Sequence, residues 1–319
     1  MRSLLITGFL LVALAAAVAV AGPAEMWEEN FNNGLDAEAR SDLAAAARWL
    51  ETALQDAEKI PERLGQDAAI VTTLNKLGAI YRMLGDFAKA SARYRQALSR
   101  VDKFRGNALL IATALNGLGA TLLAEGKYTE AEPLLKRAVD VERRNFESND
   151  PRRARSLYAL AQVYGAQGQF GRAEPLYQDA LRLLRDTLGP QHREMADVLN
   201  DLALRQMAQG RNDDAENLYR QAVGILEKTV GPDHPDVAQA LGALAFVLTA
   251  QNRMSEAETQ YKRAVGILEK AYGPEACDVG RMLEGYTTML RMNDRESEVA
   301  AVESRAKAIQ VHCSVRAQR

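Results

Sequence analysis

The chain has 319 residues, 47% of them hydrophobic but only 6% aromatic, so its core must rest on alanine and leucine rather than on large rings. That length is enough for about two conventional domains. The formal charge of -2, with acidic and basic residues interleaved, excludes the single-sign stripe by which a protein grips nucleic acid.

Residues 1–21 differ in kind from everything that follows. Arg2 is their one charge, the run from Leu4 is apolar, and the segment ends in Ala19-Val20-Ala21, the small-x-small pattern that precedes cleavage of an export signal. The expected outcome is a cut before Gly22 and a mature chain outside the cytoplasm. The alternative is an uncleaved anchor over residues 4–21, in the inner membrane. Gly22, not cysteine, stands immediately after Ala21, which argues against a lipoprotein anchor, and the lack of Asn-x-Ser/Thr sites fits a bacterial periplasm.

Internal repetition organises the rest. YRQAVGILEKTVGP from Tyr219 returns as YKRAVGILEKAYGP from Tyr261. The same alanine slot is filled by Ala53, Ala97, Ala138, Ala180, Ala222, Ala264 and Ala306, at spacings of 41 to 44 residues. A leucine slot 23 residues earlier holds Leu74, Leu115, Leu157, Leu199, Leu241 and Leu283. Within one unit, Leu157, Leu160, Ala161 and Tyr164 form one face of a helix; Gly168 breaks the chain; Phe170, Ala173, Tyr177, Ala180 and Leu181 form a second. Each unit is therefore a helical hairpin, with small residues where helices approach and Leu and Tyr between them. The hairpins are expected near 26–60, 70–104, 111–147, 153–189, 195–231, 237–273 and 279–311 of a single array over 22–319. Asn252 and Asp294 replace the turn glycine, and Gln206 stands where other copies have Tyr81 and Tyr164. The first and last copies are the most altered, as end caps require: Trp27 and Phe31 start the first, and Glu303 occupies the slot of Tyr219 and Tyr261 in the last.

Between hairpins, Gly231 takes the left-handed conformation that ends a helix, Pro232 cannot continue it, and Asp236 is expected to cap the next one. His192 and His234 share a linker slot and His312 lies near the end; none has a Cys or His partner at ligand spacing, so a loop role is expected and no metal. Cys277 precedes the last hairpin's first helix and Cys313 follows its second. An antiparallel hairpin returns those two ends to the same side, so a disulfide is expected in an exported protein. It would close a 36-residue loop and contribute about 3 kcal/mol.

The recurring order leucine–leucine–alanine–tyrosine–glycine–aromatic–alanine–tyrosine–alanine resembles the tetratricopeptide repeat. The 42-residue period and the linkers LGPQH, VGPDHP and YGPEAC are similar to the longer variant of kinesin light chains. The likeness covers residues 26–311, nearly the whole chain after the leader. It implies an all-α fold, a right-handed superhelical solenoid of about seven hairpins, acting as a scaffold for a protein or peptide. By the same likeness the concave groove receives Asn75, Asn116, Tyr158 and Asn200, each just after its slot leucine. It also receives Arg155, Asp197 and Gln239, two before, and Gln162 and Phe246, five after. An asparagine amide there serves either a bound peptide's backbone or a bond between adjacent helices. The basic set that grips a C-terminal carboxylate in some members is not reproduced: Lys76 is followed in its slot by Gly117, Ala159 and Asp201.

Nothing in the sequence recommends catalysis. No glycine-rich phosphate loop and no Ser–His or Cys–His arrangement is present. Glu130 and Glu132 point to different faces of one helix, and Met282, Met289 and Met292 read as core. The expectation is a non-enzymatic, cofactor-free scaffold for an extended or helical segment of an envelope partner. A membrane-tethered, self-associating assembly factor is the alternative, and an enzyme with a groove site a more distant one.

Overall fold

The computed structural model describes residues 22–62, 65–104 and 107–317; the leader read as a signal lies outside them. Among the described residues all regular structure is helical, in fourteen helices. They are α1 (Pro23–Ala39), α2 (Leu43–Ala57), α3 (Gln66–Met83), α4 (Phe87–Phe104), α5 (Ala108–Ala124), α6 (Tyr128–Asn145), α7 (Pro151–Ala166), α8 (Phe170–Leu188), α9 (Arg193–Ala208), α10 (Asn212–Thr229), α11 (Pro235–Ala250), α12 (Met254–Tyr272), α13 (Cys277–Met292) and α14 (Glu296–Ala317). Consecutive pairs make seven hairpins. The described residues divide into two compact units, one ending at Asn145 with three hairpins and one beginning at Phe146 with four.

One turn geometry closes every hairpin. The residue at the bend has positive φ: Gly85, Gly126, Gly168 and Gly210 lie between 73° and 78°, while Ser41, Asn252 and Asp294 lie between 54° and 62°. The next residue's N–H then reaches back five positions, as in Asp86 to the Tyr81 carbonyl (2.9 Å) and Arg253 to that of Leu248 (2.9 Å). This satisfies a carbonyl the helix end would leave bare. Asn252 and Asp294 keep the turn because short polar side chains tolerate the left-handed region. In the linkers, His192 and His234, not Asp236, cap the next helix. Each Nδ1 accepts a backbone N–H from two residues on, Glu194 at 3.3 Å and Asp236 at 3.2 Å.

The core is alanine, leucine and a tyrosine from each of several second helices. In the N-terminal unit Tyr94 of α4 is wedged between two first helices. A Cβ placed on Gly78 or on Gly117 would lie 2.7 or 2.2 Å from its ring. In the C-terminal unit Tyr177, Tyr219 and Tyr261 take the same slot, and burial pushes each phenol up to about 12. Met282 and Met289 belong to this core, but Met292 is exposed to solvent, unlike its expected burial.

Polar bonds also follow the period. Arg211 pairs with Glu174, Arg253 with Glu216 and Arg295 with Glu258, each joining the turn of one hairpin to the second helix of the hairpin before. The ends are closed differently. At the first hairpin Trp27 lies against Phe31 and its Nε1 donates to Thr73 Oγ1 (2.9 Å). At the last, α14 buries Val299, Ala306 and Ile309 among its residues up to 314, while Glu303 turns outward to Lys307. The sulfurs of Cys277 and Cys313 lie 2.10 Å apart, tying the start of α13 to the end of α14.

Candidate partner-binding groove

The residues assigned to the groove all stand on the first helix of a hairpin, but they meet different fates in the two units. In the N-terminal unit Asn75 is only 5% exposed, and its Nδ2 donates to the Leu110 carbonyl of α5 (3.1 Å). Asn116 Nδ2 donates to Glu142 Oε1 of α6 (2.9 Å). Both amide nitrogens thus take the helix-to-helix option. In the C-terminal unit Asn200 is half-buried, and like that of Asn75 its Oδ1 is enclosed without a hydrogen-bond partner.

Two cavities open beside the other assigned residues, both in the C-terminal unit. The first, about 220 Å³, lies between α7 and α9 and is floored by Leu184 of α8. Ala154, Tyr158 and Val198 give it apolar walls; Arg155, Glu194 and Asp197 supply its charge. Arg155 bonds Glu194 through Nε and Nη2 at 3.1 and 2.5 Å, which holds that carboxyl below its usual range and raises the guanidinium. Asp197 makes neither ion pair nor side-chain hydrogen bond among the described residues. Its carboxyl is pushed up, first by burial and then by Asp236, Asp201 and Glu194, with Arg193 opposing. Beside it Tyr158 Oη and Gln162 Nε2 both donate to Asp201 Oδ2, at 3.0 and 2.7 Å. Burial, and then Asp201, raise the Tyr158 phenol.

The second cavity, about 330 Å³, lies between α11 and α13 over Tyr261. Gln239 and Phe246 come from one side, Asp278, Arg281 and Met282 from the other. Gly242 and Gly285 border it, and each is closely approached by a neighbouring side chain: an added Cβ would lie 2.6 Å from Met282 at the first and 3.0 Å from Tyr261 at the second. Phe246 is 48% exposed, and a ring that size left in water is apolar surface awaiting cover.

Five assigned residues therefore border cavities: Arg155, Tyr158 and Asp197 one, Gln239 and Phe246 the other. Gln162 is joined to the first through Asp201, while Asn75, Asn116 and Asn200 border neither. Glu194, Asp201, Asp278, Arg281 and Met282 were not assigned. Arg281 was within reach, being two residues before Leu283 like the three residues chosen by that offset. Glu194 carried no such signal, since its place depends on which way Arg155 turns. Among the described residues no group of three His, Cys, Asp or Glu converges to hold a metal ion, and no helix is long and apolar enough to cross a membrane.

The tetratricopeptide repeat family model matches residues 24–103, 110–186, 167–228 and 194–270. Among solved structures the apo form of RapI shares 13% identity at a TM-score of 0.68, covering 90% of this chain and 98% of that one. A putative kinesin light chain from Podosopora anserina, built of nearly identical repeats, shares 24% at 0.56, covering 63% and 95%. A Rap protein solved in complex with competence and sporulation factor shares 12% at 0.57, covering 86% and 82%. No curated protein matches the chain.

Proposed function

Since the chain belongs to the tetratricopeptide repeat family, we propose that it is a non-enzymatic interaction scaffold whose C-terminal unit holds a peptide segment of a partner against its first helices. The observation that carries this reading is the pair of cavities between α7 and α9 and between α11 and α13, bordered by five residues that the family resemblance had placed in the groove. A cleft with apolar walls and a few polar groups is what an extended or helical segment needs: apolar anchors for affinity, amides and hydroxyls for orientation. Phe246 supplies the apolar contact, Gln239 an amide, and the Tyr158 ring a wall held in place by its bond to Asp201, which Gln162 shares. The complex formed by one Rap protein of this fold accords with ligand binding by the architecture.

The compartment belongs to the same proposal. With residues 1–21 as an export signal, the protein works in the bacterial envelope and its partner is an envelope protein. There Cys277 and Cys313 form a disulfide that pins the terminal hairpin.

A photo-crosslinking residue placed at Phe246, against one at exposed Lys228 on α10, tests the surface in native envelope fractions. The expected result is a partner captured from position 246 and competed away by unlabelled protein, but not by protein carrying Gln239→Ala and Phe246→Ala with unchanged helicity. Equal capture from both positions would move the working surface elsewhere; capture of only a second copy of the chain would favour self-assembly.

A further inference from the structure

Resting on the reading that the C-terminal unit binds a peptide, we propose that the cavity between α7 and α9 selects a lysine or arginine side chain of that peptide. The stem lies along Leu184, Val198 and the Tyr158 ring, and the cationic head meets the Asp197 carboxylate.

The argument begins with an imbalance of charge. Four carboxylates gather on α9 and the start of α11: Glu194, Asp197, Asp201 and Asp236. Three already have partners. Arg155 bonds Glu194, Arg193 bonds Asp236, and Asp201 accepts from Tyr158 and Gln162. Asp197 alone has none among the described residues, yet it borders a cavity whose other walls are mostly carbon. Asp197 is exposed at the cavity's rim, and holding its charge beside Glu194, Asp201 and Asp236 carries a repulsive cost. An incoming cation removes that cost and gains a charge-assisted bond.

Shape agrees with charge. About 220 Å³ is some seven water volumes at about 30 Å³ each, room for an extended side chain of several heavy atoms. Lysine and arginine are the residues that pair an aliphatic stem with a charged tip. Aspartate or glutamate would bring a fifth carboxylate, with Arg155 and Arg193 already engaged. Leucine would fill the walls and leave Asp197 desolvated and unpaired. The second cavity lies two hairpin steps further on, about 20 Å at a helix spacing near 10 Å. An extended chain crosses that in about six residues. The preferred segment therefore carries a basic residue and, about six positions away, a large apolar one for Phe246 and Met282.

An array of random dodecapeptides, probed with the labelled full chain, tests this alongside Asp197→Asn, Asp197→Lys and Phe246→Ala. A second arm follows the methyl signals of Leu184 and Val198 by NMR during titration with Nα-acetyl-lysinamide or Nα-acetyl-norleucinamide. The expected array result is enrichment of Lys and Arg, lost in Asp197→Asn and turned toward Asp and Glu in Asp197→Lys. Phe246→Ala should weaken binding and keep the basic preference. In the NMR arm the lysine analogue should act at about fivefold lower concentration than norleucine, with the gap closed by Asp197→Asn. Peptides that bind through Phe246 with no basic preference would overturn the cation pocket and leave the groove standing. Equal effects of the two analogues would likewise overturn it. An array on which no peptide is retained would overturn the groove and this proposal together.

Discussion

The first helices of the two units draw on the same repeat slots, but the N-terminal unit uses its asparagine slots to hold itself together while the C-terminal unit leaves Phe246 and Asp197 facing cavities. Asn75 and Asn116 spend their amide nitrogens on neighbouring helices, and Gly78 and Gly117 are filled by Tyr94. In the C-terminal unit Met282 and Tyr261 likewise close on Gly242 and Gly285, but a cavity remains beside them, Phe246 faces water and the Asp197 side chain has no partner among the described residues. A slot in register thus says where a side chain stands, and its neighbours decide whether it is structure or surface.

The contrast is broken most forcefully at the aromatic residues. Tyr94→Ala should cost about 3–5 kcal/mol in urea unfolding, because it empties a site closed on both sides. Phe246→Ala should cost less than about 1 kcal/mol and instead weaken partner capture. Equal losses of stability would erase the distinction. Reduction of the Cys277–Cys313 bridge comes next, since its 36-residue loop is worth about 3 kcal/mol. Hydrogen exchange should then rise in α13 and α14 while the N-terminal unit is unchanged, because over residues 296–314 α14 is held by three buried side chains, Val299, Ala306 and Ile309.

Two glycines sharpen the point with opposite signs. Gly117→Ala should destabilise by about 1–3 kcal/mol, since its Cβ would enter a ring that Gly78 prevents from retreating. Gly224→Ala, at a helical site with nothing near the added methyl, should stabilise by about 0.5–1 kcal/mol. Thermal melts of both read the difference directly. The smallest effect is in acid. Hydrogen bonds from Arg295, then Lys262, hold the Glu258 carboxyl at about 2, below its ordinary 4.5. A carboxyl lowered on folding adds stability that is full above pH 4.5 and lost as pH falls toward 2. Glu258→Gln should therefore flatten the urea midpoint over that window, lying below the wild type at pH 7 and converging with it as pH falls toward 2.

Much of this was legible before any coordinates. The alanine and leucine slots gave the hairpins, and even the irregular copies kept their turns, because a bend needs one left-handed residue and Asn252 or Asp294 serves as well as glycine. The Arg–Glu ladder was present at constant spacing too, but a charged pair reads as solvated surface until the turn of one hairpin is seen to lie on the helix of another. Helix capping by His234 rather than Asp236 escaped for a smaller reason: both residues are acceptors, and only the helix start selects between them.

The sequence by itself determined the repeat, the helices and the residues that stand on the first-helix face, because periodicity is a property of the chain and needs no partner to be read. Tertiary structure decided which of those residues are occupied. Asn75 and Asp197 both stand on first helices; one is closed by the Leu110 carbonyl and the other borders a cavity whose nearest cation is already bound to Glu194. That outcome depends on how neighbouring helices turn their side chains, and contacts between elements so far apart in the chain leave no local pattern.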